Sequence, residues 1–306
     1  MLCRRLTIRR AGGRAGHAMP SVEPQAEGRA APPRLRPYLR SLYARRETIR
    51  FLTISGLQAG HRDKILGNLW NILDPLLYML VYYVVFGILF ALAGAGKTIQ
   101  FMLYIFVGVL TYRFIESTIS QAANCVRGNR GLIHEINFPK AVFPISVVLA
   151  RLYDFVLGLA ILIVFLLVAR VWPTAQYLWL PLLVASAVLF TLGASFIVAY
   201  LGAFYADTSN VVTVVMRLLF YCSPIFYFVR TVGGFEAMRA FRRESIRAIY
   251  MLNPIAGYLE SFRDALLWGS APDYGTMLYI VLISVLVALA GLALFARGEG
   301  KFAKYV

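Results

Sequence analysis

The chain has few charged residues for its length. Asp, Glu, Lys and Arg make up 15% of its 306 residues, whereas a soluble domain typically carries about a quarter. Hydrophobic residues make up 59%. This balance argues against a soluble protein and predicts an all-α integral membrane protein that crosses the bilayer several times.

Cysteine and histidine are also scarce. The three cysteines, Cys3, Cys125 and Cys222, lie far apart in the sequence, and the three histidines are equally scattered. They show neither the CxxC spacing of a metal site nor the even count of a disulfide framework. We therefore expect no metal and no cofactor on this chain.

Acidic residues are outnumbered by basic ones, which gives a net charge of +16. Such a charge can indicate nucleic-acid binding. In so apolar a chain it favours membrane orientation and contact with anionic lipid headgroups instead. We expect membrane lipid, and no nucleic acid, as a partner.

The N-terminal region divides into two parts. Residues 1–37 are rich in Arg, Gly, Ala and Pro without hydrophobic periodicity, which predicts a disordered basic tail in the cytoplasm. No apolar stretch follows the basic start, so we expect no signal peptide, and Met19 is an alternative start to Met1. Residues 38–66 alternate apolar side chains with arginines. This pattern favours an amphipathic helix in the headgroup region over an ordinary solvated helix.

Long apolar runs follow. The chain is uncharged from Leu76 to Phe90, and at about 1.5 Å per residue the segment 69–93 can cross a hydrocarbon core of about 30 Å. Six transmembrane helices are predicted in all, at about 69–93, 101–126, 141–171, 176–206, 208–230 and 274–297. Lysines and arginines on the side of the two termini are more than twice as numerous as those on the other side. We therefore expect both termini to lie in the cytoplasm and the protein to reside in the cytoplasmic (inner) membrane.

Two connections between the predicted spans have a pattern of their own. Residues 132–138 can form about two turns of amphipathic helix before Pro139, and this segment is either a docking element for a cytoplasmic partner or a simple turn. Residues 231–273 are basic yet half apolar, with a break at Asn253 and Pro254. They predict two short helices that re-enter or cap the outer leaflet.

One motif suggests a nucleotide site. AGAGKT at 93–98 is similar to the end of a phosphate-binding loop, but Ala91 stands where that motif needs glycine, and no strand precedes it. We expect no nucleotide site here, so an ATPase that drives transport would be another polypeptide.

Five segments are distinctive as a set. They are LGNLWNILDPLLYMLVYYVVFG (66–87), NRGLIHEINFPKAVFP (129–144), FYCSPIFY (220–227), NPIAGYLESFRDALLWG (253–269) and FARGEGKFAKYV (295–306). In this order, over about residues 55–306, they resemble the membrane subunits of ABC-2 type polysaccharide, O-antigen and teichoic acid exporters. AGHRDKI before the first span departs from the basic-aromatic stretch that is common there, and the Arg-rich tail has no counterpart in the family.

The resemblance implies an ABC-2 type transmembrane domain at 67–306 with six transmembrane helices. It implies a homodimer with two copies of an ABC ATPase subunit that bind ATP and Mg. The cargo would be a glycan on a polyprenyl-pyrophosphate or similar lipid anchor. The segment 131–140 would be the coupling helix, and the helices at about 233–268 the external gate. The coupling residues would be Leu132, Ile133, His134, Glu135, Phe138 and Lys140.

Aromatic residues within the spans suit a sugar pathway, because their rings stack on the apolar faces of sugars. Tyr78, Tyr82 and Phe86 recur at intervals of four on the first span, and Phe220 and Tyr221 lie on the fifth. We interpret them as channel lining; the alternative is an aromatic belt that faces lipid.

Charged residues within spans need partners or water. Arg113 and Glu116 are three residues apart, as are Arg151 and Asp154, so each pair can form on its own helix. Arg217 is isolated. It either pairs with Glu116 or Asp154 across helices, or faces the pathway and binds the lipid pyrophosphate.

The arginines of the connection at 231–273, between the fifth and sixth predicted spans, have two possible roles. Arg239, Arg242, Arg243 and Arg247 would either receive the emerging pyrophosphate or contact anionic lipid.

Two other functions remain open. An integral membrane glycosyl or acyl transferase would need clustered carboxylates or a His/Asp pair at the membrane face, whereas Asp63, Asp74, Glu135 and Asp207 are isolated in sequence. An ABC-2 exporter of small lipids or drugs is the second alternative.

Overall fold

The computed structural model describes residues 35–61, positions 73, 76, 77, 80, 81, 84, 85 and 88, and residues 98–135, 138–232, 235, 236, 238, 241 and 243–302. Within these residues the fold is helical, apart from one isolated bridge between Val232 and Phe235. The predicted all-α class is therefore confirmed for the described part of the chain. Most of the first predicted span and nearly all of the predicted basic tail lie outside the described residues.

Ten α-helices have defined bounds within the described residues. They are α1 (Leu35–Ala44), α2 (Arg46–His61), α3 (Thr98–Ala122), α4 (Arg130–Glu135), α5 (Val142–Val168), α6 (Leu180–Phe204), α7 (Thr208–Tyr221), α8 (Glu244–Met251), α9 (Pro254–Arg263) and α10 (Tyr274–Gly298). Short 3-10 turns occupy Arg127–Asn129, Ala175–Trp179 and Glu299–Lys301, and a π-helical turn, Asp264–Trp268, follows α9.

Four segments are long and apolar enough to cross a membrane: Ile99–Ala122, Val142–Val168, Ala175–Phe204 and Tyr274–Lys301. They match the second, third, fourth and sixth predicted spans to within a few residues. The chain therefore has the helices of a multi-pass membrane protein.

The fifth predicted span is shorter than expected. It was predicted over 208–230, but α7 has 14 residues and ends at Tyr221. At about 1.5 Å per residue, this covers about 21 Å of a hydrocarbon core of about 30 Å. The helix stops because Pro224 has no N–H to donate and disfavours helical geometry at Ser223.

Helix α3 lies at the centre of the bundle, in contact with α5, α6, α7 and α9. Phe101, Ile105 and Ile115 on this helix are fully buried. Helices α6 and α10 cross at very close range, since a Cβ added at Gly291 would lie 2.2 Å from the Gly193 carbonyl oxygen. Small residues allow such crossings in membrane bundles, where van der Waals packing drives helix association.

The bundle has two distinct ends. At one end, the connection from α3 to α5 packs beside the end of α10, in a cluster that includes Ile133, Phe138 and Phe302. We call this the elbow end, and the residues 127–135 and 138–141 the elbow. At the other end, Arg263 contacts Tyr104 near the start of α3, and Trp179 contacts Tyr274 at the start of α10. We call this the Arg263 end.

The predicted amphipathic segment 38–66 is helical in two pieces, α1 and α2, up to His61, and residues 62–66 lie outside the described residues. Leu42 is buried and Leu52 is partly buried, while four arginines are exposed: Arg40, Arg45, Arg46 and Arg50. Helix α2 packs along α5. Leu42 and Leu52 thus pack on the bundle while the arginines face its surroundings, where Phe51 and Ile54 are also exposed.

Candidate functional site

A cavity of about 320 Å³ lies between α3 and α7. It is lined by Val109, Tyr112, Arg113, Glu116, Thr213, Met216, Arg217, Phe220 and Tyr221. Five of these residues were singled out from the sequence: Arg113, Glu116, Arg217, Phe220 and Tyr221. The structure brings them to one place, which we call the α3–α7 cavity.

Helical spacing explains why these side chains meet. The α3 lining residues are at positions 109, 112, 113 and 116, and those of α7 include 213, 216, 217 and 220. Both sets follow the i, i+3, i+4, i+7 pattern of a single helix face. The two faces therefore oppose each other along the cavity.

Tyr112 connects the two walls. Its hydroxyl donates a hydrogen bond to the Met216 carbonyl oxygen, and its ring meets Phe220 edge-on with centroids 5.2 Å apart. Phe220 in turn meets Tyr221 edge-on at 5.3 Å. Tyr112 was not predicted as a site residue, although its position on the face that carries Arg113 and Glu116 is a usable signal.

The charged side chains of the cavity differ in their partners. Glu116 accepts a hydrogen bond of 3.4 Å from the Ser120 hydroxyl, one turn further along α3. Arg217 is exposed and forms no ion pair with any residue in the described part of the chain. Two roles were predicted for Arg217, and the structure does not show the first of them, an ion pair with Glu116 or Asp154. Two arginines and one glutamate give the cavity a net positive lining.

Arg151 and Asp154 form the predicted ion pair on α5, with Nη1 and Oδ2 2.7 Å apart. Arg151 also lines a second cavity, of about 280 Å³, between α2, the end of α3 and the first half of α5. The other lining residues are Leu52, Ser55, Gly56, Gln121, Asn129, Phe143, Ser146 and Val147.

The elbow is anchored by apolar side chains. Ile133 and Phe138 are buried, Leu132 is partly buried, and the Phe138 ring meets Phe143 edge-on with centroids 5.5 Å apart. Helix α4 includes His134 and Glu135, but their side chains lie outside the described residues. The Lys140 backbone N–H donates to Glu299 Oε1 at 2.6 Å. The elbow is therefore attached to the end of α10 by a hydrogen bond as well as by packing.

The Arg263 end contains a buried charged cluster that the sequence did not reveal. Arg263 belongs to the connection 231–273, which was predicted to re-enter or cap the outer leaflet, and its side chain is fully buried. Its guanidinium donates to the carbonyl oxygens of Tyr104, Pro224 and Ile225 at 3.3, 2.5 and 2.9 Å. It also binds Glu260 at 2.9 Å.

Arg230 completes this cluster by pairing with Glu260 at 3.4 Å and with Asp264. A buried charge is stable only when it is paired and hydrogen-bonded, so the cluster fixes the segment after α7 to α3 and α9. In the sequence, the only signal is the proximity of Glu260, Arg263 and Asp264.

The predicted gate residues are only partly described. Arg247 lines a cavity of about 400 Å³ together with Arg230, Glu260 and Asp264. Arg243 is exposed just before α8, whereas Arg239 and Arg242 lie outside the described residues. The remaining lining residues are Val229, Glu244, Ala248, Met251, Ser261, Asp273 and Thr276.

Asn253 and Pro254 begin α9. The Asn253 side chain accepts a hydrogen bond from the Ile255 N–H at 3.0 Å and donates one to Ser223 Oγ at 3.1 Å. Pro254 occupies the first turn, where its missing N–H has no cost. Asn253 therefore caps α9 and ties it to the segment after α7.

Tyr78, Tyr82 and Phe86, the predicted aromatic stripe of the first span, lie outside the described residues. In the part of the chain that is described, no group of His, Cys, Asp or Glu side chains is arranged to hold a metal ion.

Comparison with known proteins agrees with this architecture. The family model described as ABC-2 type transporter matches residues 47–267. The O-antigen export system permease protein RfbA of Myxococcus xanthus is 28% identical over 269 residues, which cover 88% of this chain and 98% of that protein. The protein of the same name from Klebsiella pneumoniae is 26% identical over 83% of this chain and 92% of its own length.

A more distant relative is the polysialic acid transport protein KpsM of Escherichia coli, which is 21% identical over 76% of this chain and 86% of its own length. The family match spans most of the chain, including both walls of the α3–α7 cavity and the elbow. The protein therefore belongs to the ABC-2 type transporter family and is a multi-pass membrane protein.

Proposed function

We propose that this protein is the membrane subunit of an ATP-driven exporter that moves a lipid-linked polysaccharide across the cytoplasmic membrane. It would act as a homodimer with two copies of a separate ATPase, which bind ATP and Mg. The relatives described above are named for O-antigen export and polysialic acid transport. The observation that carries the proposal is the α3–α7 cavity, whose lining combines aromatic rings with Arg217, an arginine that has no ion-pair partner in the described part of the chain.

The lining of the cavity suits the two parts of such a cargo. Phe220 and Tyr221 offer rings that stack on sugars, while the tyrosine hydroxyl can bond to sugar hydroxyls. Arg217 has no ion-pair partner among the described residues. A charge at membrane depth needs a partner or water, and a guanidinium binds phosphate oxygens in a bidentate manner. Arg217 would bind the pyrophosphate of the lipid anchor.

The proposed topology places the elbow end in the cytoplasm and the Arg263 end outside, with six spans and both termini inside. The exposed arginines of α1 and α2 belong to the elbow end, where anionic headgroups and the positive-inside rule favour them. Helices α8 and α9 then lie at the outer leaflet, as the external gate.

The elbow would transmit the closure of the ATPase. Ile133 and Phe138 anchor it in the cluster that also holds Phe143 at the start of α5. A force applied to α4 would therefore displace the ends of α3 and α5 rather than bend a loose loop. Helix α3 forms one wall of the cavity, so this displacement reaches the pathway.

Deletion of the gene followed by lipid analysis tests the function. We expect the lipid-linked glycan to accumulate on the cytoplasmic face and surface glycan to be lost, with both defects restored by the wild-type gene. Surface glycan that persists, together with altered export of a small lipid or drug, would support the alternative exporter and contradict our proposal.

A further inference from the structure

We propose that Glu299 is a positioning residue that joins α1, the elbow and the end of α10 into one body. When the elbow is displaced, α1 moves with it. The joint consists of the hydrogen bonds that Glu299 accepts from the elbow and from α1. Its role in transmitting an ATPase-driven movement rests on the proposed function.

The two carboxylate oxygens of Glu299 bind different elements. Oε1 accepts the hydrogen bond of 2.6 Å from the Lys140 backbone N–H in the elbow. Oε2 accepts a hydrogen bond from the Tyr38 hydroxyl in α1. One side chain thus connects segments that are about a hundred residues or more apart in the sequence.

The turn that carries Glu299 is packed against the bundle. It follows the last residue of α10, and Phe302 three residues later is fully buried. The Phe302 ring packs against Phe295 and Phe204, with centroids 5.1 and 5.7 Å away. The described C-terminal turn is therefore held in place, and Glu299 can fix the elements that bind to it.

Helix α1 and the elbow already share the apolar cluster of the elbow end, through Leu42, Ile133 and Phe138. Apolar contact is non-directional, so packing alone specifies the relative position of α1 and the elbow less sharply than hydrogen bonds do. Hydrogen bonds to a carboxylate are directional and stronger than neutral ones. Glu299 therefore sets the register between surfaces that the cluster merely brings together.

The Tyr38 hydroxyl remains protonated, and so remains a hydrogen-bond donor, at physiological pH. Burial, and the adjacent Glu299 carboxylate, raise the pKa of the Tyr38 phenol well above its usual value. The phenol keeps its proton at physiological pH, and the bond to Glu299 is retained.

Hydrogen exchange measured on the purified full chain in nanodiscs tests the joint without an ATPase. For Glu299→Ala we expect faster deuterium uptake in both 35–44 and 130–143, by about threefold or more, and unchanged uptake in α3. Glu299→Gln should show a smaller increase, because its amide oxygen can still accept the Lys140 bond. The control is Glu47→Ala, which removes an exposed glutamate of α2.

Unchanged uptake in Glu299→Ala, or an increase in one of the two segments alone, overturns the joint. If Glu299→Ala does not fold, Tyr38→Phe serves instead, because it removes one donor and leaves the ring. Faster uptake in 35–44 supports the joint in that variant, and unchanged uptake overturns it.

The functional role is tested with the reconstituted complex of permease and ATPase. Glu299→Ala should keep ATP hydrolysis near the wild-type rate while glycan exported per ATP falls about fivefold or more, a typical size for coupling between sites. An unchanged ratio overturns the role in transmission. If the wild-type complex exports no glycan, the proposed function fails, and the exchange data still decide whether Glu299 forms the joint.

Discussion

The Arg263 guanidinium lies over the ring of Tyr104, with its central carbon 3.5 Å from the ring centroid. The same guanidinium binds the carbonyl oxygens of Pro224 and Ile225, in the segment that follows α7. Pro224 ends regular helix there, and irregular backbone at membrane depth is stable only where its polar groups find protein partners. Arg263 donates hydrogen bonds to two of these backbone carbonyl groups, so one side chain stabilises the irregular segment that follows the end of α7 at Tyr221.

Gly108→Ala tests the space that Arg263 occupies. A Cβ at this position would lie 2.4 Å from Arg263 Nη2, so the guanidinium must shift away from its carbonyl partners. We expect destabilisation of about 1–3 kcal/mol, as for other overpacked cores. It should appear as a lower midpoint of thermal unfolding in detergent.

Gly128→Ala is the matched control for this variant, because nothing lies within 4 Å of its added Cβ. Equal unfolding midpoints for Gly108→Ala and the wild type would show that Arg263 is not held as tightly as the structure indicates.

Arg217→Ala tests the binding role of the α3–α7 cavity. Hydrogen bonds to charged groups contribute about 1.5–3 kcal/mol, so glycan export should fall by about ten- to a hundredfold. Membrane insertion and assembly with the ATPase should be unaffected, because Arg217 is exposed and pairs with no described residue. Surface glycan and co-purified ATPase are the two readouts.

Arg297→Ala serves as the control, since Arg297 is an exposed arginine in the last turn of α10. Arg217→Lys should retain part of the export, because an ammonium binds phosphate without the bidentate geometry. Export at the wild-type level in Arg217→Ala would remove this residue from the mechanism.

Asp273 caps α10 in a pH-dependent way. Its carboxylate accepts hydrogen bonds from the Thr276 N–H and hydroxyl at 2.8 and 2.9 Å, which hold its pKa below the usual value. A lowered folded-state pKa means that the carboxylate contributes stability above the unfolded pKa of about 4, and that this contribution is lost as pH falls through the folded pKa.

Asp273→Ala should therefore lower the unfolding midpoint at pH 7, by the equivalent of about 0.5–2 kcal/mol for a lost cap. The gap between the variant and the wild type should narrow below about pH 4. Asp273→Asn keeps an oxygen acceptor but no charge, so its unfolding midpoint at pH 7 should fall between those of Asp273→Ala and the wild type. A gap that is the same at pH 7 and at low pH would mean that the charged form of Asp273 is not the stabilising one.

Much of the fold was predictable because it depends on local patterns. Apolar run length predicted four long helices, and helix periodicity on α3 and α7 places Arg113, Glu116, Arg217 and Phe220 on facing surfaces. The end of α7 was missed because the apolar residues after Pro224 continue the hydrophobic run, so hydropathy alone did not reveal the break. Pro224 itself was the available signal.

Residues that act through distant partners were not predictable. Arg263 is buried by carbonyl groups of α3 and of the segment after α7, and Glu299 binds α1 and the elbow. Neither set of partners is adjacent in the sequence, so the sequence assigned Arg263 to the outer connection at 231–273 without indicating what surrounds it. A single charged residue beside an apolar run gives no indication of which distant groups will surround it.

The orientation of the elbow decides whether an ATPase can drive this protein. Gly131 in the elbow and Ser270 at the Arg263 end are exposed, and cysteine can replace each of them in a chain whose three natural cysteines have been removed. A membrane-impermeant maleimide applied to intact spheroplasts should label Ser270→Cys, and should label Gly131→Cys only after lysis. Labelling of Gly131→Cys in intact spheroplasts would place the elbow outside the cell and contradict the account.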